Sequence, residues 1–201
     1  MDVSQKKKIG TSLDLYTSLL MLMVGLISLL ALTGWAIKQP LLASLGTDYI
    51  PMAPSSGLIF LGLVVTWFLN RSFSTRPGMQ VLVQTVLAGL FVIVLILALR
   101  TITGVGPDLE NMLLPSPTFF GQVLTGRMAP LTALCFLLVI PALLLKTLRM
   151  PGRLLLNTQD SLLLVVFIIG SVNLLGYLFG TPLFYGGKII PVALSSAFAG
   201  R

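Results

Sequence analysis

Ile50-Pro51-Met52-Ala53-Pro54-Ser55-Ser56-Gly57 is the first of three related phrases in the chain. The others are Gly126-Arg127-Met128-Ala129-Pro130-Leu131-Thr132-Ala133 and Ile190-Pro191-Val192-Ala193-Leu194-Ser195-Ser196-Ala197. Each follows a long apolar run and a polar loop. The first two open another apolar run, and the third starts one that reaches only to Arg201. Proline suits the first turn of a helix, where its missing N–H has no helical partner anyway. A nearby Ser or Thr can hydrogen-bond free N–H groups at such a start. The small residues that follow, Gly57, Ala133 and Ala197, let helices approach closely. The phrase therefore marks a helix start, and the chain divides into repeated pairs of helices that cross a membrane and return.

Composition agrees. The 201 residues are 56% hydrophobic and only 9% charged, with a mean hydropathy of +1.00. Soluble domains carry about 25% charged residues. A membrane span needs about 20 mainly apolar residues. Five runs approach that length, at residues 15–37, 54–69, 79–99, 130–145 and 161–179, and a truncated sixth starts at 189. The expectation is an all-α integral membrane protein of five to six helices. A basic tail, residues 1–14, precedes a single membrane domain, residues 15–201. The sixth run is too short to span, so it is expected to be interfacial, re-entrant or cut from a longer protein. The first run is too long for a signal-peptide core, and Trp35-Ala36-Ile37-Lys38 is no small-residue cleavage site, so it is read as a retained helix.

The net charge of +7 and pI of about 10.0 raise nucleic acid as a partner. The basic residues instead sit in the breaks between apolar runs, as topology determinants do. With a cytoplasmic amino terminus, eight fall inside: Lys6, Lys7, Lys8, Arg71, Arg76, Lys146, Arg149 and Arg153. Four fall outside: Lys38, Arg100, Arg127 and Lys188. This satisfies the positive-inside rule and puts all three phrases on the outer face. The outer loops are long and rich in Pro, Gly and aromatics. They are expected to lie on the membrane surface or to fold over the helix ends as short amphipathic pieces.

Histidine is absent and the single cysteine, Cys135, lies in an apolar run. No metal, cofactor or internal disulfide is therefore expected. No nucleophile-base set, phosphate loop or pair of intramembrane carboxylates appears, so no enzyme activity is expected. No acidic residue sits in mid-membrane, which counts against an ion-coupled transporter.

Candidate functional residues follow from the phrase. If its helix starts converge on the outer face, their dipoles favour anionic groups, and Arg127 adds to that bias. Met52, Pro54, Met128 and Pro130 would line the site. Trp35 and Tyr177 close similar Gly-aromatic ends of the first and fifth runs. Their alternative reading is as interfacial anchors, and that of the phrase is pure architecture. Gln84 and Asn173 are expected to hydrogen-bond between helices. Asp14 and Asp160 are expected near helix starts, with Asn157 or Thr158 capping the fifth helix. Arg100 has Asp108 and Glu110 as available partners in the loop that follows it.

The two Met-Ala-Pro phrases, with Gly34-Trp35 and Gly176-Tyr177, resemble a multi-helix membrane module. It stands at the amino end of bacterial signalling proteins, ahead of PAS, histidine-kinase or diguanylate-cyclase domains. The resemblance covers residues 15–199. It implies a sensory input in the bacterial inner membrane, acting on a cytoplasmic signalling domain or partner. This chain departs from the pattern in ending within the sixth run and in having Leu194 where the other phrases have Pro. Lipid is the expected surrounding, with a homo-oligomer or other membrane subunits as partners and no nucleic acid. The alternatives are an accessory subunit of a larger membrane complex and, less favoured, a small transporter or channel.

Overall fold

The computed structural model describes residues 3–44, 51–73, 76–113, 119–120, 123–124, 126–148 and 153–179. The third phrase, the loop before it and the sixth run lie outside the described residues. The long helices are α1 (Val3–Ala36), α3 (Pro54–Phe73), α4 (Pro77–Thr103), α6 (Pro130–Leu148) and α7 (Arg153–Leu178). Each contains a stretch long and apolar enough to cross a membrane: Asp14–Ala36, Pro54–Phe73, Gly78–Thr103, Pro130–Leu148 and Asn157–Gly176. The chain is thus an all-helical, multi-pass membrane type of fold. Short pieces cap it: α2 (Pro40–Ser44), α5 (Leu109–Leu113) and two antiparallel two-residue strands, β1 (Phe119–Phe120) and β2 (Val123–Leu124).

The helices alternate in direction, and each long helix packs on its neighbour in sequence, α1 on α3, α3 on α4, α4 on α6 and α6 on α7. The core runs between α3, α4 and α6, where Ile59, Val83, Leu87, Val94 and Ile140 are buried. Phe60 of α3 meets Phe136 of α6 edge to face, with ring centroids 4.7 Å apart. Such an offset arrangement suits the ring quadrupoles. Apolar residues on the other faces, among them Leu15, Leu26, Val81 and Leu164, stay exposed. In a bilayer these faces meet acyl chains, which are as apolar as they are. Gly57 lets α3 close on α1, where an added Cβ would lie 3.3 Å from Leu32 Cγ.

Several boundaries differ from the sequence expectation. The first helix begins at Val3, not at residue 15, because no proline interrupts residues 3–14 and a helix needs no lipid to continue. Asp14 consequently lies inside α1 rather than at a helix start. The fifth long helix begins at Arg153, so Asn157 does not cap it. Its carbonyl instead accepts the Ser161 hydroxyl at 2.7 Å. Asp160 is likewise interior to α7 and exposed. The two expected proline starts are observed: α3 opens on Pro54 and α6 on Pro130. The α4 helix ends at Gly104, whose φ of 71° places it in the left-handed region that a helix terminator favours.

Candidate functional site

The starts of α3 and α6 lie at one end of the bundle, together with the ends of α1 and α4. At both starts the alanine of the phrase accepts the first helical bond. The Ala53 carbonyl receives the Gly57 N–H at 3.1 Å, and the Ala129 carbonyl receives the Ala133 N–H at 3.0 Å. In both, the methionine before it is buried, with Met52 0% and Met128 1% exposed. A buried backbone N–H needs a partner. Met52 finds the Ala43 carbonyl of α2, 2.9 Å away. Met128 finds Glu110 Oε1 of α5, 2.7 Å away.

The same Oε1 also accepts the Ser55 hydroxyl of α3 at 2.6 Å. One carboxylate oxygen therefore ties the first turn of α3 to the segment that enters α6. Glu110 is only 8% exposed. Burial raises its pKa above the ordinary 4.5, because a carboxylate loses hydration there. The bonds from Ser55 and Met128 and the charge of Arg127 act in the opposite direction. The Ser55 side chain thus serves as a donor to another element and not as the helix cap that its position suggested.

Three charged groups stand beside Glu110. Arg100, in the last turn of α4, donates to the Gly106 carbonyl and reaches Asp108 Oδ2 at 2.5 Å. That pair is partly buried, with side-chain exposures of 20% and 25%. Arg127 approaches the same Asp108 oxygen at 3.5 Å but is 45% exposed. Asp108 in turn accepts the Asn111 N–H through Oδ1, which fixes the start of α5. The loop that carries Glu110 is therefore pinned to the end of α4.

Trp35 completes the site. It is buried at the end of α1, and its Nε1 donates to the Met52 carbonyl at 2.8 Å. Its ring covers Gly126, where a Cβ would lie 3.3 Å from Cη2. Gly126 also has φ of 90°, so a side chain there is disfavoured both by conformation and by space. At Gly34 a Cβ would come within 3.0 Å of the Gln39 carbonyl, which lets α2 fold back over the end of α1.

The structure thus brings together Trp35, Met52, Pro54, Arg127, Met128 and Pro130, six of the residues selected from sequence. Tyr177 belongs to α7, and its side chain lies outside the described part. Trp35 is a buried hydrogen-bond donor here, where its position also suggested an interfacial anchor. Gln84 behaves as expected: its Nε2 crosses from α4 to the Thr147 carbonyl of α6 at 3.3 Å, at the other end of the bundle. Asn173 does not. Its Nδ2 donates to the Ile169 carbonyl of its own helix at 2.8 Å. Sequence reasoning missed Glu110 and Ser55 as the linking pair. The signal available was the only glutamate of the sequence, in a Pro- and aromatic-rich loop between Arg100 and Arg127.

The chain matches no protein-family model, no curated protein and no solved structure. The geometry alone defines the site: an enclosed carboxylate clamp between two helix starts, with two arginines and an aspartate at its rim. A cation or a competing donor at Glu110 would each weaken its hold.

Proposed function

We propose that the chain is a membrane-embedded sensory or regulatory input module. The observation that carries this reading is the Glu110 tie, a single buried titratable group that holds the entries to α3 and α6 together. A clamp of this kind has two arrangements available, closed and released. A two-state element is what a signal needs in order to cross a membrane. The resemblance of the Met-Ala-Pro phrases to input modules of bacterial signalling proteins points the same way. The distribution of basic residues supports a cytoplasmic amino terminus and an outward-facing clamp. The bacterial inner membrane is the matching location, with a cytoplasmic signalling domain or protein as the recipient.

In this reading a ligand acts on the clamp from outside. The α3 and α6 helices then shift relative to each other, and their far ends carry the change to the inner face. The test is a spin-label distance measurement on the full chain in lipid nanodiscs, with labels at the exposed positions Ser72 and Leu148. Releasing the clamp with Glu110→Ala is expected to add a second distance population. A distribution identical to that of the parent would show that the clamp does not communicate with the inner end, and the sensory reading would fail.

A further inference from the structure

At the opposite end of the bundle a cavity of about 270 Å³ opens between α1, α3, α4 and α6. We propose that it binds a phosphate-bearing anion, either the headgroup of an anionic phospholipid or free phosphate. The inference does not rest on the sensory reading.

The lining has two parts. Val83, Leu87 and Leu143 form an apolar floor, the first two being almost fully buried. Arg71, Lys146, Asn70 and Trp67 stand among the polar groups of the wall. The volume is just below the roughly 300–1,000 Å³ of pockets that enclose a drug-sized molecule, so it suits a headgroup rather than a whole lipid. Arg71 and Lys146 each occupy the last turn of a membrane-spanning helix. That is the depth at which the phosphates of a leaflet lie. Basic pockets between transmembrane helices at this depth are a recurrent way to hold anionic headgroups.

The charges are available. Among the described residues Lys146 has no carboxylate partner. Arg71 has one, Asp14, at 3.4 Å, but the two side chains are 41% and 65% exposed. A loose exposed pair of that kind contributes little and exchanges readily. The Arg71 guanidinium lies 5.3 Å from the centre of the Trp67 ring, which orients it at the cavity wall. Two cations against one carboxylate leave the lining with a net charge of +1. A cation at a helix end is favoured by the helix dipole in any case. The dipole does not require a cavity, nor an unpaired lysine and a stacked arginine both brought to its wall.

The test uses the full chain extracted from vesicles of phosphatidylcholine and phosphatidylglycerol, with retained lipid counted by native mass spectrometry. Preferential retention of phosphatidylglycerol is expected. Arg71→Gln and Lys146→Gln should each lower that preference about fivefold, the effect of one cation near an anionic lipid surface. Arg71→Lys and Lys146→Arg should keep it. Asp14→Asn should raise it, and this exposed substitution carries the test if either glutamine variant fails to fold. A parallel arm measures thermal stability in pure phosphatidylcholine with inorganic phosphate against chloride at equal ionic strength. Stabilisation by phosphate without lipid preference would identify a free phosphate as the ligand. Neither effect, or a lipid preference unchanged in both glutamine variants and in Asp14→Asn, would overturn the proposal.

Discussion

At the start of α3 the Met52 N–H is held by a backbone carbonyl of α2. At the start of α6 the equivalent Met128 N–H is held by a side-chain carboxylate of α5. The two starts share the Met-Ala-Pro sequence, the first helical bond and a buried methionine. They differ in the chemistry of the anchor. A carbonyl cannot be titrated or removed by mutation of its own side chain. A carboxylate can be protonated, competed for or deleted. The first helix pair is therefore fastened permanently, while the second is fastened by a group that its surroundings can change. That group also reaches across to Ser55 of the first pair, so loosening it is felt at both starts.

The largest effect is expected from Glu110→Ala. It leaves the buried Met128 N–H and the Ser55 hydroxyl without their partner, at a cost of about 3 kcal/mol by denaturant unfolding in detergent. A loss below about 1 kcal/mol would mean that water or another acceptor takes the place of the carboxylate. The first start offers a smaller target. Trp35→Phe removes the indole donor to the Met52 carbonyl and should cost about 1–2 kcal/mol in the same assay. It should leave the Ala43 anchor in place, so the deficit should not depend on pH.

Acidity separates the two starts more sharply. Because Glu110 has a raised pKa in the folded protein, the folded state holds its proton more tightly than the unfolded chain does. Its contribution to stability is therefore full below about 4.5 and is lost as pH rises through the folded pKa. The parent should lose stability over that window relative to Glu110→Gln, whose profile should lack this component. The smallest effect is expected at the rim. Arg127 is nearly half exposed, so Arg127→Gln should cost less than about 1 kcal/mol, and less still at high salt.

Much of this architecture is legible in the sequence. Apolar runs identify the spans because lipid leaves few alternatives to a helix. Pro54 and Pro130 mark helix starts because their rings fit only the first turn without loss of a bond. Gln84 is readable as a bridge because an amide in lipid must find a partner, and α6 supplies one in the Thr147 carbonyl. Asn173 follows the same rule but is satisfied by its own helix, an outcome that residue type alone does not separate from the first. The clamp is less legible. Ser55 and Glu110 are 55 residues apart, and only the fold of the loop around α5 brings them together. Trp35 looks like an interfacial anchor until α2 folds back through the space left at Gly34. The first span agrees with its apolar run, at Asp14–Ala36, but α1 itself starts earlier, at Val3, because hydropathy reports where lipid begins and a helix can extend past that point into water.

The central claim is that Glu110 binds the start of α3 and the entry to α6 as one unit. A double-mutant cycle tests it most directly, comparing Ser55→Ala, Glu110→Ala and the double variant by equilibrium unfolding in detergent. A coupling of about 1 kcal/mol or more is expected, because the two side chains share one buried hydrogen bond. Strictly additive losses would contradict the claim, since they would mean that the hydroxyl and the carboxylate stabilise their helices independently.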